Sequence, residues 1–410
     1  MKRILLAIAA VVLAIVGIQV FYEPGASQAS APVADRAGQL VRGEYLARAG
    51  NCMGCHTNAG GRVIETPFGR IYAPNITPDK ETGIGNWSAD DFWRAIHNGK
   101  SRDGRFLYPA FPYPSYTKVS RADADAIYAY IMSRPAVSKP NRVHALDFPY
   151  NQRILLAFWR TLYFTPGEFE PAADRDAQWN RGAYLVQGLG HCAACHTGRN
   201  ALGGTLDKND LAGAAIPARD WYAASLALHD RDVAEIASLL KTGVSSRGAV
   251  YGPMAEVVSG SLQHLSDADT LAMATYLKSL PPTATLKVAD LAYAPQERAR
   301  VIEAGARIYE KQCAACHLAT GEGQGTAYPP LAGNRTLGAS PVNAIRIVLN
   351  GGYPPSTHGN PRPYGMPPFG QELNDEEVAA VVSYVRSSWG NQGGMVSPAS
   401  VARLRGMPGD

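Results

Sequence analysis

The six cysteines of this 410-residue chain fall in three pairs, Cys52/Cys55, Cys192/Cys195 and Cys313/Cys316, and a histidine follows each pair at once: His56, His196 and His317. Two thiols at this spacing can reach the two vinyl groups on one edge of a porphyrin and form thioethers. The adjacent imidazole is then swung under the iron as its proximal axial ligand, so Cys-x-x-Cys-His is an attachment sequence for haem c. Three covalently bound haem c groups are therefore expected, and no cysteine is left for a disulfide. A Cys₄ zinc site would use two such pairs, but the pairs here are far apart and each carries its trailing histidine. A thioredoxin-like redox pair needs a strand-rich βαβ setting that surrounds none of them.

A haem iron that only exchanges electrons usually closes its sixth position with methionine, whose soft thioether raises the reduction potential. Met366, in Tyr364-Gly365-Met366-Pro367-Pro368-Phe369, lies 49 residues after His317, and Met254, in Gly252-Pro253-Met254, lies 58 after His196. Both are expected to ligate iron from Gly/Pro-rich loops that precede a helix. Met273 falls inside that helix and reads as core. The first unit breaks the pattern: its loop, Leu107 to Pro114, carries Phe111 in the slot 55 residues after His56. Met53 and Met132 are poorly placed. Either another group coordinates, with His97 the best candidate, or the first haem is five-coordinate or weakly ligated under Phe111.

The elements that must hold these groups repeat as well. Gly43-Glu44-Tyr45-Leu46 leads into the first motif, Gly182-Ala183-Tyr184-Leu185 into the second, and Gly305 with Tyr309 into the third. These glycines are expected to let an opening helix approach the tyrosine of a closing one. The closing helices are expected over Asp123 to Met132, Asp267 to Leu280 and Asp375 to Trp389, behind the start signals Ser120, Ser266 and Asn374. A period this long excludes a solenoid and reads as three tandem domains of about 100 residues. The expected boundaries are 40–136, 177–283 and 297–392, with linkers at 137–176 and 284–296 and a loose tail at 393–410.

Prolines 135, 140, 149, 166 and 171 forbid one long helix in the first linker. Its apolar stretch, Ile154 to Trp159 and Leu162 to Phe164, carries only Arg153 and Arg160 as charges; it suits packing between domains or docking on a partner or membrane. Lys2 and Arg3 precede an apolar run from Ile4 to Val20, which reads as an export leader within 1–31, cleaved near Ala29-Ser30-Ala31 or kept as an anchor. The formal charge of +4 is too small, and cationic runs too few, for a nucleic-acid partner. No Ser/His/Asp order, P-loop or dinucleotide fingerprint suggests independent catalysis.

The three Cys-x-x-Cys-His units, the Leu107-Tyr108-Pro109-Ala110-x-Pro112-Tyr113 loop and the segment His191 to Asn200 resemble the trihaem cytochrome c subunit of periplasmic, membrane-bound dehydrogenases, from about residue 40 to 392. The resemblance implies an all-α fold of three class I cytochrome c-like domains at the periplasmic side of the bacterial inner membrane. It also implies a catalytic dehydrogenase partner using PQQ, flavin or molybdenum, and ubiquinone or a terminal oxidase as acceptor. Phe111 stands where family members carry methionine. A haem enzyme such as a peroxidase with an open first haem, or a freestanding periplasmic carrier, are the competing functions.

Overall fold

The computed structural model describes residues 2–21, 35–57, 61–205, 211–282 and 291–407. The chain divides into two compact units, Met1–Asn209 and Asp210–Asp410, so the division falls inside the second sequence repeat.

The first unit opens with α1 (Lys2–Phe21) and α2 (Arg36–Ala49). Asp35 caps α2 by accepting from the Gly38 N–H at 2.9 Å. The first cysteine pair forms its own turn, α3 (Cys52–Cys55). A hairpin of β1 (Val63–Thr66) and β2 (Gly69–Tyr72) follows, with Val63 opposite Tyr72. Ser88 and Asp91 close a reciprocal capping box on α4 (Ala89–Asn98). Next come the single turn α5 (Tyr113–Tyr116) and the closing helix α6 (Arg121–Met132), capped by Ser120 as its sequence indicates. Helix α2 packs across α6, and the crossing explains Gly43. A Cβ there would lie 1.9 Å from the Ala126 carbonyl oxygen and 2.9 Å from Tyr130 Cβ, so only glycine lets the backbones meet.

The proline-bounded linker is not loose. β3 (Ala145–Leu146) adds to the hairpin beside β2, and α7 (Leu156–Tyr163) lays one face on the first domain. Ala157 and Arg160 on that face are buried. The Arg160 guanidinium donates to the Asn98 carbonyl at 2.6 Å and sits 4.7 Å from the Phe164 ring centre and 5.1 Å from that of Phe106. This face therefore packs on the first domain, while Ile154 and Leu162 remain exposed. Helix α1 packs against α7: Arg160 Nε donates to Gln19 Oε1 at 3.1 Å and Lys100 Nζ to the Val20 carbonyl at 2.8 Å. Among the described residues no helix is long and apolar enough to cross a membrane. The expectation that the leader is a spanning anchor is thus unsupported, and the expected cleavage triplet lies outside the described residues. The unit ends with α8 (Ala177–Gln187) and the second motif's turn, α9 (Ala193–His196).

The second unit pairs β4 (Ala214–Ile216) with β5 (Trp221–Ala223). It continues through α10 (Val233–Thr242), the short hairpin β6 (Val244–Ser245) and β7 (Gly248–Ala249), α11 (Pro253–Gly260) and α12 (Asp267–Ser279), which Ser266 caps. The third repeat supplies α13 (Pro295–Gln312), the motif turn α14 (Ala314–His317), α15 (Arg335–Ala339), α16 (Val342–Asn350) and the closing helix α17 (Asp375–Ser387). Asn374 and Glu377 form a capping box on α17. Gly305 repeats the role of Gly43, since a Cβ there would lie 2.2 Å from the Ala380 carbonyl oxygen and 2.8 Å from Tyr384 Cβ.

Two expectations need correcting. The fold is not purely helical: among the described residues, three small sheets sit among the helices. In the first sheet, Val63, Ile64, Thr66, Ile71 and Tyr72 are β-branched or aromatic on either side of a tight turn, a signal too short to register against three helical repeats. The residues after 392 are no loose tail either. They form α18 (Pro398–Arg405), capped by Ser397, whose Val401 and Leu404 are 0 % and 1 % exposed in a core with Tyr309, Ile345, Val378 and Val382.

Candidate haem-attachment sites

Each motif closes a single helical turn, which brings its two sulfurs and its imidazole to one end of an opening helix. The Tyr309 hydroxyl donates to the Leu318 carbonyl at 2.6 Å, tying α13 to the residue after the third motif. His56 and His317 each meet a proline carbonyl. Nδ1 of His56 is 2.8 Å from the Pro74 carbonyl oxygen, and Nδ1 of His317 is 3.0 Å from that of Pro329. A carbonyl can only accept, so Nδ1 carries the proton and Nε2 keeps its lone pair. Such a contact orients a metal-binding imidazole and raises its donor strength. Burial lowers the pKa of both rings, favouring the neutral form that can bind iron. His196 also has partners in the fold.

The six cysteines look equivalent in the sequence, and the structure separates them. Cys52, Cys55, Cys192, Cys313 and Cys316 are half-buried, whereas Cys195 is exposed. The two members of the second pair therefore stand in different surroundings: Cys192 turns inward and Cys195 faces outward from α9. In the third pair, Cys313 and Cys316 are alike in exposure and flank the α14 turn. Burial, and then the charge of the partner cysteine, push Cys52 and Cys192 up to about 12 and Cys313 up to about 11. The first cysteine of each pair is thus held as a protonated thiol. Two thiols beside an oriented neutral imidazole fit haem c: the S–H bonds would add across the two vinyl groups of the porphyrin, and the ring nitrogen would offer its lone pair to iron. Among the described residues, no group of three or more His, Cys, Asp and Glu side chains converges to hold another metal.

The sixth-position candidates fall in different settings. Met366 is half-buried, and its backbone is pinned by a reciprocal pair with Gly352, N–H to carbonyl at 2.8 and 3.0 Å. Met254 lies in the first turn of α11 behind Pro253 rather than in a free loop. Tyr251, three residues earlier, packs its ring 3.3 Å from the position of a Cβ on Gly352, so these two segments of the second unit meet. Met273 is 1 % exposed, as a core residue would be.

In the first unit Phe111 is half-buried and meets the Tyr116 ring edge-on, centroids 5.4 Å apart. His97 is not on the surface: it is 3 % exposed, stacks on Trp93 at 4.3 Å, and its Nδ1 is 3.5 Å from Thr117 Oγ1. Burial, and secondarily the charge of Lys118, lower its pKa to about 4. These contacts make His97 a packed core histidine.

Three residues that the motifs did not single out bear on the sites. Asp123, side chain 3 % exposed, accepts from Arg42 Nε of α2 at 2.8 Å and from the Tyr184 hydroxyl of α8 at 2.6 Å. It joins the first repeat to the opening helix of the second. Tyr116 donates its hydroxyl to the Gly50 carbonyl at 2.9 Å, and its ring meets that of His191 edge-on at 5.5 Å. Tyr116 ends α5, just after the aromatic-rich loop of the first repeat, and His191 directly precedes Cys192. Only their neighbourhoods, not their meeting, could be read from the sequence.

Comparison with known proteins agrees with this arrangement. A family model described as cytochrome c matches residues 40–135, 180–281 and 302–389. The gluconate 2-dehydrogenase cytochrome c subunit of Pantoea cypripedii is 42 % identical over 399 residues, covering 89 % of both chains. The cytochrome c subunit of the quinone alcohol dehydrogenase of Gluconacetobacter polyoxogenes is 37 % identical over 410 residues, covering 93 % of this chain and 87 % of that one. The fructose dehydrogenase cytochrome subunit of Gluconobacter japonicus is 36 % identical over 409 residues, covering 89 % of this chain and 82 % of that one. With three matched segments spanning most of its length and relatives alike from end to end, this chain belongs to the cytochrome c family, among the cytochrome c subunits of dehydrogenases.

Proposed function

We propose that the chain binds three haem c groups, one at each motif, and relays single electrons from a catalytic dehydrogenase subunit to ubiquinone or a terminal oxidase at the periplasmic face of the inner membrane. The carrying observation is the threefold Cys-x-x-Cys-His turn in a chain whose end-to-end relatives are dehydrogenase cytochrome subunits. Haem c, when bound, supplies a one-electron iron couple tuned by its axial ligands and surroundings. The chain's residues do the rest. Cys52, Cys55, Cys192, Cys195, Cys313 and Cys316 hold the rings; His56, His196 and His317 offer proximal nitrogens; Met254 and Met366 offer sulfur to the second and third sites. The Pro74 and Pro329 carbonyls fix two of the imidazoles. The cationic start and apolar run of the leader support export and membrane attachment, and its polar contacts with Arg160 and Lys100 favour its retention.

The test is purification of the tagged chain from solubilised membranes. A co-purifying dehydrogenase whose substrate reduces the cytochrome is expected. A chain found alone and soluble, and reduced by no dehydrogenase, would leave the freestanding carrier instead. Phe111 gives a second reading some footing, a haem enzyme with an open first site. It requires a high-spin fraction in the ferric spectrum together with peroxide turnover, and wholly low-spin iron rejects it.

A further inference from the structure

Within the first unit, the segments that precede the first and second motifs touch. A Cβ built on Gly50, two residues before Cys52, would lie 3.4 Å from both Cys52 Sγ and Leu189 Cδ2. Leu189, three residues before Cys192, is 2 % exposed. Beside this contact stands an aromatic pair. Tyr116 is anchored on the first segment through its hydroxyl bond to the Gly50 carbonyl at 2.9 Å. His191 is anchored on the second, with Nδ1 2.8 Å from the Leu189 carbonyl oxygen, and the two rings meet edge-on at 5.5 Å. His191 also holds a left-handed backbone, φ 38°, uncommon for a non-glycine residue and one that fixes where its ring points.

We infer that Tyr116 and His191 form the electron bridge between the first and second haem sites, an assignment that rests on the relay reading above. Tunnelling falls steeply with distance and is carried better by packed π systems than by gaps. This ring pair, with Gly50 and Leu189 beside it, lies where the segments that carry Cys52 and Cys192 meet. One electron crosses: the donor haem goes from ferrous to ferric, the acceptor from ferric to ferrous, and no proton or bond changes hands. Both bridging residues are positioning groups, since neither is an attachment or axial residue.

The test uses the full haem-loaded chain with Tyr116→Leu, Tyr116→Phe and His191→Asn; asparagine tolerates the left-handed backbone. Flash reduction of a partly oxidised sample reads the rate at which the two haems equilibrate. Redox titration and electron paramagnetic resonance read each haem's potential and the magnetic coupling between them. Tyr116→Leu and His191→Asn are expected to slow equilibration and to weaken the coupling with potentials unchanged. Tyr116→Phe, which keeps the ring, is expected to stay near the wild-type rate. Unchanged rates in both ring-removing variants overturn the assignment. So does a loss confined to Leu189→Ala, which would put the path on the aliphatic contact. Should Tyr116→Leu fail to take up haem, His191→Asn decides alone. A chain that no dehydrogenase reduces, yet whose haems equilibrate through this pair, would defeat the relay reading and leave the bridge standing.

Discussion

At the scale of single residues, the imidazoles of His56 and His317 each lean on a carbonyl from outside their own motif. Cys-x-x-Cys-His is a local pattern, so three sites could be read directly, whereas the Pro74 and Pro329 carbonyls lie 18 and 12 residues from the imidazoles they orient. The pattern is also silent on burial: Cys195 and Cys316 hold the same place in their motifs, yet the first is exposed and the second half-buried. His97 shows the same limit. On an amphipathic helix, nothing local distinguishes a surface histidine from one held between Trp93 and Thr117. Its burial has a pH consequence. The folded state holds His97 near 4 while the unfolded chain titrates near 6.5, so protons bind the unfolded state first as pH falls. The stability that the neutral ring allows is complete above about 6.5 and is lost progressively down to about 4, by about 1–3 kcal/mol. His144, also lowered to about 4 by burial and then by Arg153 and Arg105, titrates in the same window. His97→Phe should therefore flatten, but not abolish, the fall in melting temperature between pH 6.5 and 4. It should also leave the ferric spectrum unaltered; a spectral change would make His97 an iron ligand.

At the scale of elements, the start signals Ser120, Ser266 and Asn374 each cap the helix that follows, because capping is a contact over three residues. Gly43 and Gly305 were also legible as crossing points, since a residue without Cβ that recurs shortly before a tyrosine in an opening helix implies a close neighbour. Gly305→Ala should destabilise by about 1–3 kcal/mol despite alanine's better helix propensity, worth about 1 kcal/mol, because its Cβ meets the Ala380 carbonyl. Gly338→Ala in α15, where a Cβ meets nothing within 4 Å, should be neutral or stabilising. Thermal melts of the two variants separate crossing geometry from propensity, and equal shifts would refute the close approach. The last helix was missed although Ser397-Pro398 is a start signal, because eight residues ending in arginines carry little periodicity. Arg405 is in fact occupied, donating to Asp375 at 2.7 Å and to the Leu373 carbonyl at 2.8 Å. Leu404→Ala is expected to cost about 2–5 kcal/mol, as full burial in a packed core requires. A loss below about 0.5 kcal/mol, the level of a surface substitution, would restore the loose tail.

At the scale of the whole molecule, three cytochrome c segments are divided between two compact units, and the division after Asn209 falls inside the second segment. Tyr184 and His191, in the first part of that segment, contact Asp123 and Tyr116 of the first. Pairings of this kind join residues 61 and 75 positions apart and leave no periodic trace in the sequence. Net charge is the one whole-molecule property that the sequence states outright, and its meaning depends on the cofactors. The bare chain carries +4, with an isoelectric point near 8.6. Each ferric haem would bring one positive charge at the iron-porphyrin and about two negative ones from ionised propionates, so three would lower the total to about +1. Reduction removes one positive charge per iron and would take the molecule to about −2. Native isoelectric focusing should therefore place the oxidised holoprotein well below 8.6 and move it further toward acid on reduction, in a step that scales with the number of haems. Replacing both cysteines of any one motif by alanine should shrink that step, and the haem absorbance per protein, by about one third. A smaller fraction at any motif would mean that the three turns do not each carry a haem. The mild basicity of the polypeptide is then a counterweight to propionates rather than a sign of an acidic partner.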